Sequence, residues 1–477
     1  MATVIEQEPN HALTVGGSDI MFTVSNANVV ASYPGVKFIA EVHISGQAIP
    51  NPVTIDDRVG IFKVNPNDRG VGIFNIRSVV EDYLGADHLT KVHPKLAITP
   101  SFKNYNRGQF PIHMVDKFSG NTNAMKFVVV VFKAQYRDND PASGTYNQVL
   151  EVDTEVSRAF KIFNGYLTYN DMLDVGSNGR DYGFDLDKYQ LTSSSSTFLT
   201  NRPKPVYANI EDYGTFGFIS GNTVSQYNLF YYDSGNVQIG NESVKRINAN
   251  GAPTVWTGDM GYRFNYIGIY PGNLRNWSAT FRALVAAGTI DHYKVNVTGP
   301  TGTVGGLWTI YVNCPNDGDK IKGYEPVRLA WLNQWGAWDY YTFRLKSTIT
   351  KNTSPTTYTQ LEGTWNSDFY KIDGFRGGKK TFRVNTTEKI TINTEYVNEN
   401  HSPWFEELIN SPDVYIIKSY NDDDIVDGSG DDPVLNNYVQ PVRMVTKQIT
   451  RKTVANDKLV QYTFEVEKSR TERTQTI

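Results

Sequence analysis

The sequence predicts a mainly β protein built from several β-sandwich-like domains with two or so short helices. Three observations carry this. Apolar residues recur in short runs, some with strict alternation; Gly, Pro, Asn and Asp punctuate the runs; and aromatic residues are plentiful, with 29 Tyr and 24 Phe against 20% charged residues. Aromatic and β-branched side chains suit a pleated surface, and alternation places successive side chains on opposite faces. At 477 residues the chain exceeds one ordinary domain. Composition changes divide it into 1–158, 159–347 and 348–477.

In the first segment the strand candidates are Ile20–Val24, Val36–Ile44, Val59–Val64, Met125–Tyr136 and Tyr146–Val152, separated by Pro34-Gly35, Asn65-Pro66-Asn67-Asp68 and Asp138–Gly144. Phe38, Ala40, Val42 and Ile44 fall on one face of the second candidate. Ile76, Val79, Val80, Tyr83 and Leu84 follow helical spacing, with Asn75 as the expected cap and Gly85 as the stop. In the second segment a polar linker, Thr192–Thr197, precedes strands at Val224–Tyr232, Tyr262–Ile269, His292–Val297 and Leu307–Cys314.

These lead into Trp331-Leu332-Asn333-Gln334-Trp335-Gly336-Ala337-Trp338-Asp339-Tyr340-Tyr341-Thr342-Phe343. Bulky residues flanking a short glycine loop are the pattern of a hairpin, here turning at Gln334–Ala337. Strand parity puts Trp338, Tyr340 and Thr342 on one face and Asp339, Tyr341 and Phe343 on the other. Both faces are loaded, so Trp331, Trp335, Trp338, Tyr340 and Tyr341 are expected to form a buried core or an interface.

In the third segment Thr348–Thr357 reads as a Ser/Thr/Pro turn region and a boundary. Strands are expected at Lys379–Val384, Lys389–Thr394 and Val414–Ser419. Ser402, with Pro403 after it and Glu406 and Glu407 in the first turns, predicts a capped helix with Trp404, Leu408 and Ile409 inward. Val442–Val454 and Lys458–Lys468 are expected to pair around Ala455-Asn456-Asp457. A polar terminal arm, Ser469–Ile477, follows.

Charge and cysteine usage exclude several classes. A formal charge of −4 offers no basic stripe to displace counterions from phosphates, so neither nucleic acid nor a membrane surface is an expected partner. The one cysteine, Cys314, permits no internal disulfide framework and no cysteine zinc cluster. The N-terminus lacks basic and apolar signal regions, and no apolar run approaches the roughly 20 residues of a spanning helix. Synthesis in a cytoplasm is the expectation.

No enzyme signature emerges. There is no Gly-x-Ser-x-Gly elbow and no His-Glu-x-x-His pair. His88 and His93 read as solvated loop residues. The densest carboxylates, Asp422, Asp424, Asp427 and Asp431, offer hard oxygens to Ca²⁺ on a glycine-containing loop but miss the EF-hand spacing, and a solvated Asp-rich turn is the simpler explanation. No cofactor is expected.

The combination of Asn65-Pro66-Asn67-Asp68, Gly72-Ile73-Phe74-Asn75-Ile76-Arg77, Val79-Val80-Glu81-Asp82-Tyr83, Phe198-Leu199-Thr200-Asn201-Arg202-Pro203 and Asp212-Tyr213-Gly214-Thr215-Phe216 resembles virion structural proteins of tailed bacteriophages, of the marine and Bacteroidetes-infecting kinds. The Trp331–Phe343 hairpin and Ser402–Tyr415 extend the resemblance. It implies a non-enzymatic tail, baseplate or collar component in the virion, assembling as a ring with copies of itself and other virion proteins. Two alternatives stand beside it. Aromatic platforms bind sugars, so Trp335 or Trp338 is the place to look for a host-surface glycan. Paired carboxylates would make a polysaccharide depolymerase, with Asp339 as the first candidate.

Overall fold

The computed structural model describes residues 2–9, 12–46, 49–50, 57–90, 110–114, 118–169, 171, 186–191, 197–220, 226–247, 253–254, 264–299, 302–313, 324–363, 371–372, 374–418, 439–450 and 459–473. The fold is mainly β, as the alternation and composition predict. The described residues fall into two compact units. The first draws on Met1–Asn316 and Leu332–Asp339; the second draws on Asp317–Trp331, Tyr340–Tyr420 and Asn436–Ile477.

The first unit opens with a sandwich. Val4–Gln7, Met21–Ser25 and Val71–Asn75 form a three-stranded antiparallel sheet. Opposite it lies a six-stranded sheet ordered Leu13–Val15, Phe160–Phe163, Met125–Arg137, Lys37–Ser45, Arg58–Val64, with Val149–Val156 also paired to Met125–Arg137. Phe22 and Phe74 pack on Phe132 at ring distances of 5.3 and 5.6 Å. The predicted stripe Phe38, Ala40, Val42 and Ile44 lies in this core. The strand is more deeply covered than one-face alternation implies, since Ile39 and His43 on its other face are also buried.

The rest of the unit carries two more sheets. One is ordered Gln190–Leu191, Phe216–Ser220, Phe264–Ile267, Phe118–Asn121, so residues on both sides of position 158 share it. The other is ordered Val206–Asn209, Gly302–Asn313, His292–Gly299, Gln226–Tyr232, Gln238–Ile247, Pro253–Thr254. Phe198, Phe216, Tyr270 and Trp308 pack together in the first unit's interior.

The second unit is built on an eight-stranded sheet. Its path runs from the hairpin strands through Val414–Ile417, Val439–Met444, Thr463–Lys468 and Gly378–Asn393 to Thr348–Gln360. Helix Ser402–Asn410 lies on it, burying Trp404, Phe405 and Leu408 against Phe343, Ile392, Phe464 and Val466.

Several expectations need correction. Five α-helices occur among the described residues, where the sequence predicts about two. Ala27–Ser32 is capped by the Asn26 side chain, which accepts from Val29 N, and Ala279–Ala286 by Ser278, which accepts from Phe281 N. Pro271 opens a third, Pro271–Trp277. Arg77–Tyr83 is helical as predicted, but Asn75 stands one residue before the N-cap, Ile76, and accepts from both Ile20 N and Arg77 N. Ser402 is already helical and bonds Tyr462 Oη at 2.5 Å instead of capping; His401 occupies the cap.

The largest departure concerns Thr348–Thr357, which is strand and not turn. It belongs to Thr348–Gln360, which pairs along its length, with one register shift at Thr356/Thr357, with Gly378–Asn393, one long strand where the sequence predicts two. At the C-terminal end, Val439–Met444 does pair with Thr463–Lys468, but the first strand stops ten residues short of Val454. Thr192–Ser196, His93, Cys314, the Asp422–Asp432 loop, Ala455-Asn456-Asp457 and residues 474–477 lie outside the described residues.

Candidate interaction site: the aromatic hairpin

The hairpin forms where its composition places it. Strand Val327–Leu332 and strand Trp338–Phe343 are sheet neighbours. Asn333 builds the loop between them: its backbone N donates to Ala337 O, and its side-chain oxygen accepts from Trp335 N and Ala337 N, each at 3.0 Å. Gly336 sits at φ +70°, the left-handed region that excludes most side chains, and a Cβ there would collide with the carbonyl oxygen of Asn164.

The structure separates the five predicted aromatic residues into two groups. Trp335 and Trp338 belong to the first unit; Trp331, Tyr340 and Tyr341 belong to the second. Within the first unit, Trp335 lies 4.4 Å from the Tyr189 ring and donates its indole N–H to Asn201 Oδ1 at 2.9 Å. Beside it, Gln334 accepts from Tyr166 N through its carbonyl and donates from its side chain to Asp171. Ala337 packs so closely on Gly217 that a Cβ at 217 would stand 2.7 Å from it.

Trp338 enters a polar pocket of the first unit that has no counterpart in the sequence pattern. Its indole N–H donates to Asp87 O at 2.8 Å, its ring meets His113 edge-on at 4.6 Å, and His88 lies 5.6 Å away. His88 is therefore part of an aromatic cluster and not a free loop residue. The Asp87 carboxylate accepts from Asn123 N and from Tyr266 Oη. Burial pushes its pKa up to about 7, against the opposing pull of those donors and of the Lys126 charge. Nothing in the local sequence marks Asp87, because its neighbours come from residues 113, 123, 126, 266 and 338.

Within the second unit, Trp331 packs on Trp404 at 4.9 Å, and Tyr341 meets Phe405 edge-on at 5.1 Å. Tyr340 lies under the Arg328 guanidinium, 5.3 Å from ring centre to Cζ, while Arg328 also donates to Thr342 Oγ1. Trp331, Trp335, Trp338 and Tyr340 are each at most 1% exposed, and Asp339 is 4% exposed. A sugar platform needs an open ring face and a depolymerase needs an open carboxylate. These residues offer neither.

Among the described residues no group of three or more His, Cys, Asp and Glu side chains is placed to hold a metal ion, and no helix is long and apolar enough to cross a membrane. The Ca²⁺ candidates Asp422, Asp424, Asp427 and Asp431 are not among them.

No family model and no curated protein matches the chain. Among solved structures it aligns with the native conformation of alpha-2-macroglobulin from E. coli at 7% identity and TM-score 0.17, covering 82% of this chain and 22% of the other. The trypsin-activated form of the E. coli protein aligns at 8% identity and TM-score 0.18, covering 82% and 26%. This chain thus spans about a quarter of those proteins or less, and so slight a likeness carries no argument about function.

Proposed function

We propose that the chain is a structural component of a bacteriophage virion, an oligomeric building block of the tail, baseplate or collar. The supporting observation is how the distinctive motifs are used. Asn67 closes a turn by accepting from Arg69 N and Val71 N. Phe74 and Ile76 enter the sandwich core, and Phe198 and Phe216 enter the aromatic interior. Arg202 donates to Tyr270 Oη and Tyr207 O, and Asp212 accepts from Asn209 N. The residues that give the sequence its resemblance to virion proteins are thus committed to packing and turn geometry. That is the expected use of such residues in a building block. The deep burial of Trp335 and Trp338 removes the main support for a glycan-binding reading.

The test is to find the chain in particles. Mass spectrometry of purified virions should detect it at several copies, and antibody labelling should place it at the tail. Particles that infect normally and lack the chain would end this reading.

A further inference from the structure

The antiparallel ribbon Thr348–Gln360/Gly378–Asn393 is unlike the rest of the second unit. Thirteen residue pairs run from Thr348↔Thr391 to Gln360↔Gly378, a span of roughly 40 Å at ordinary strand rise. Its base is anchored: Lys389–Asn393 pair with Thr463–Glu467, and Asn385 and Thr386 pair with Arg473 and Glu472. Among the described residues the part beyond Asn385 is a two-stranded ribbon, and Thr348–Thr357 is exposed throughout. An isolated ribbon of this kind is marginal in water.

The ribbon's side edge is defended, and the described residues at its tip include exposed apolar side chains beside the charged Glu362, Lys371 and Arg376. Pro355 removes a donor from the middle of the edge strand, and Lys351, Lys379 and Lys380 add charge, which are common means of blocking edge-to-edge pairing. Beyond Gln360 and Gly378 the chain presents Leu361, Ile372 and Phe375 at 79, 72 and 72% exposure. The chain around Phe375 makes several contacts. Lys380 Nζ donates to Phe375 O at 3.1 Å, Arg376 Cζ lies 5.4 Å from the Phe375 ring centre, and Gly377, at φ +104°, donates its N–H to Gln360 Oε1.

Charge indicates what the tip meets. Residues 348–393 contain seven Lys and Arg and four Asp and Glu, a net of +3. With the whole chain at −4, the remaining residues carry −7. A basic arm on an otherwise acidic chain is complementary to another copy of the same chain.

We infer that residues 348–393 form an assembly arm whose apolar tip, Leu361, Ile372 and Phe375, docks on a second copy of this chain. The inference deepens the building-block reading and rests on its self-assembly. The exposed apolar side chains supply the anchor, while the net positive ribbon is attracted by the net negative charge of the rest of a second copy.

Sedimentation of the full chain over a concentration series tests this against two variants. One replaces residues 354–385 with Asn-Gly; the other is L361S/I372S/F375S, which alters only exposed side chains. The full chain is expected to self-associate. Both variants should associate at least about tenfold more weakly, with the thermal midpoint of the triple variant unchanged. Undiminished association of both variants overturns the arm and leaves assembly standing. A chain that stays monomeric at every concentration overturns both. Association seen only with added duplex DNA, and lost when Lys379 and Lys380 are replaced, assigns the arm to nucleic acid and overturns docking on a second copy.

Discussion

Trp338 donates its indole N–H to the backbone carbonyl of Asp87 across 251 residues of sequence, at 2.8 Å. The bond is buried, and the Asp87 side chain next to it is itself fully buried with a raised pKa. One residue of the hairpin loop region thus closes a polar cluster whose other members lie far upstream.

The Asp87 carboxyl gives a pH dependence with a definite sign. Its folded pKa is about 7, above the ordinary carboxylate range, so the folded state keeps a proton that the unfolded chain releases. Its stabilising contribution is full at acid pH and is lost as pH rises to about 7. Asp87→Asn should therefore gain on the wild type as pH rises from about 4 to about 8, by on the order of a few kcal/mol. Thermal midpoints of both proteins across that range check this, and a constant gap would refute it.

His43 runs the other way. It is 1% exposed, both ring nitrogens lack hydrogen-bond partners, and burial lowers its pKa. Its contribution is present above the ordinary imidazole pKa and is lost as pH falls through the lowered one. His43→Gln should flatten the acid side of the stability profile in denaturant titrations, whereas Asp87→Asn flattens the decline toward neutrality.

Gly336→Val should be among the most damaging substitutions in the chain. It combines a positive φ with a collision at Asn164 O, and the expected cost exceeds about 3 kcal/mol. Soluble yield and urea midpoint are the measurements. Gly35→Ala is the control, because Gly35 shares the positive φ but has nothing within 4 Å of where a Cβ would stand, and it should cost about 1 kcal/mol.

Trp404→Ala should cost about 3–5 kcal/mol in the second unit, since Trp404 is 1% exposed and packs on Trp331 and Phe405. Ser402→Ala, which removes only the bond to Tyr462, should cost about 1 kcal/mol. Chemical denaturation distinguishes the two sizes.

A chain ending at residue 316 should fold poorly. It lacks Leu332–Asp339, and with them the Trp335 bond to Asn201, the Asn333 bond to Leu199 O and the Trp338 bond to Asp87 O. Increased binding of a hydrophobic dye and a lower thermal midpoint than the full chain are expected. A fully cooperative transition at the full-chain temperature would contradict this.

The strands of the sandwich are legible in the sequence because burial writes itself into alternation: Phe38, Ala40, Val42 and Ile44 face a core, and the spacing says so. The hairpin turn is legible because Gly336 is needed where the backbone is left-handed. Thr348–Gln360 is illegible for the converse reason. An exposed ribbon has no buried face to impose a pattern, and its strand character comes from pairing with Gly378–Asn393, a separate stretch further along the chain. Pro271 and Ser278 are ordinary helix-start signals that short flanking strands conceal. The Asp87 cluster has no local signature, because long-range topology alone gathers it.

The division of the hairpin also has a consequence for synthesis. Residues 1–316 leave the ribosome without Leu332–Asp339, which the first unit includes. At ordinary translation rates the missing segment follows roughly one to five seconds later. Until then the partners of Trp335 and Trp338 are uncovered, and the first unit reaches its final form only after the second has begun to emerge.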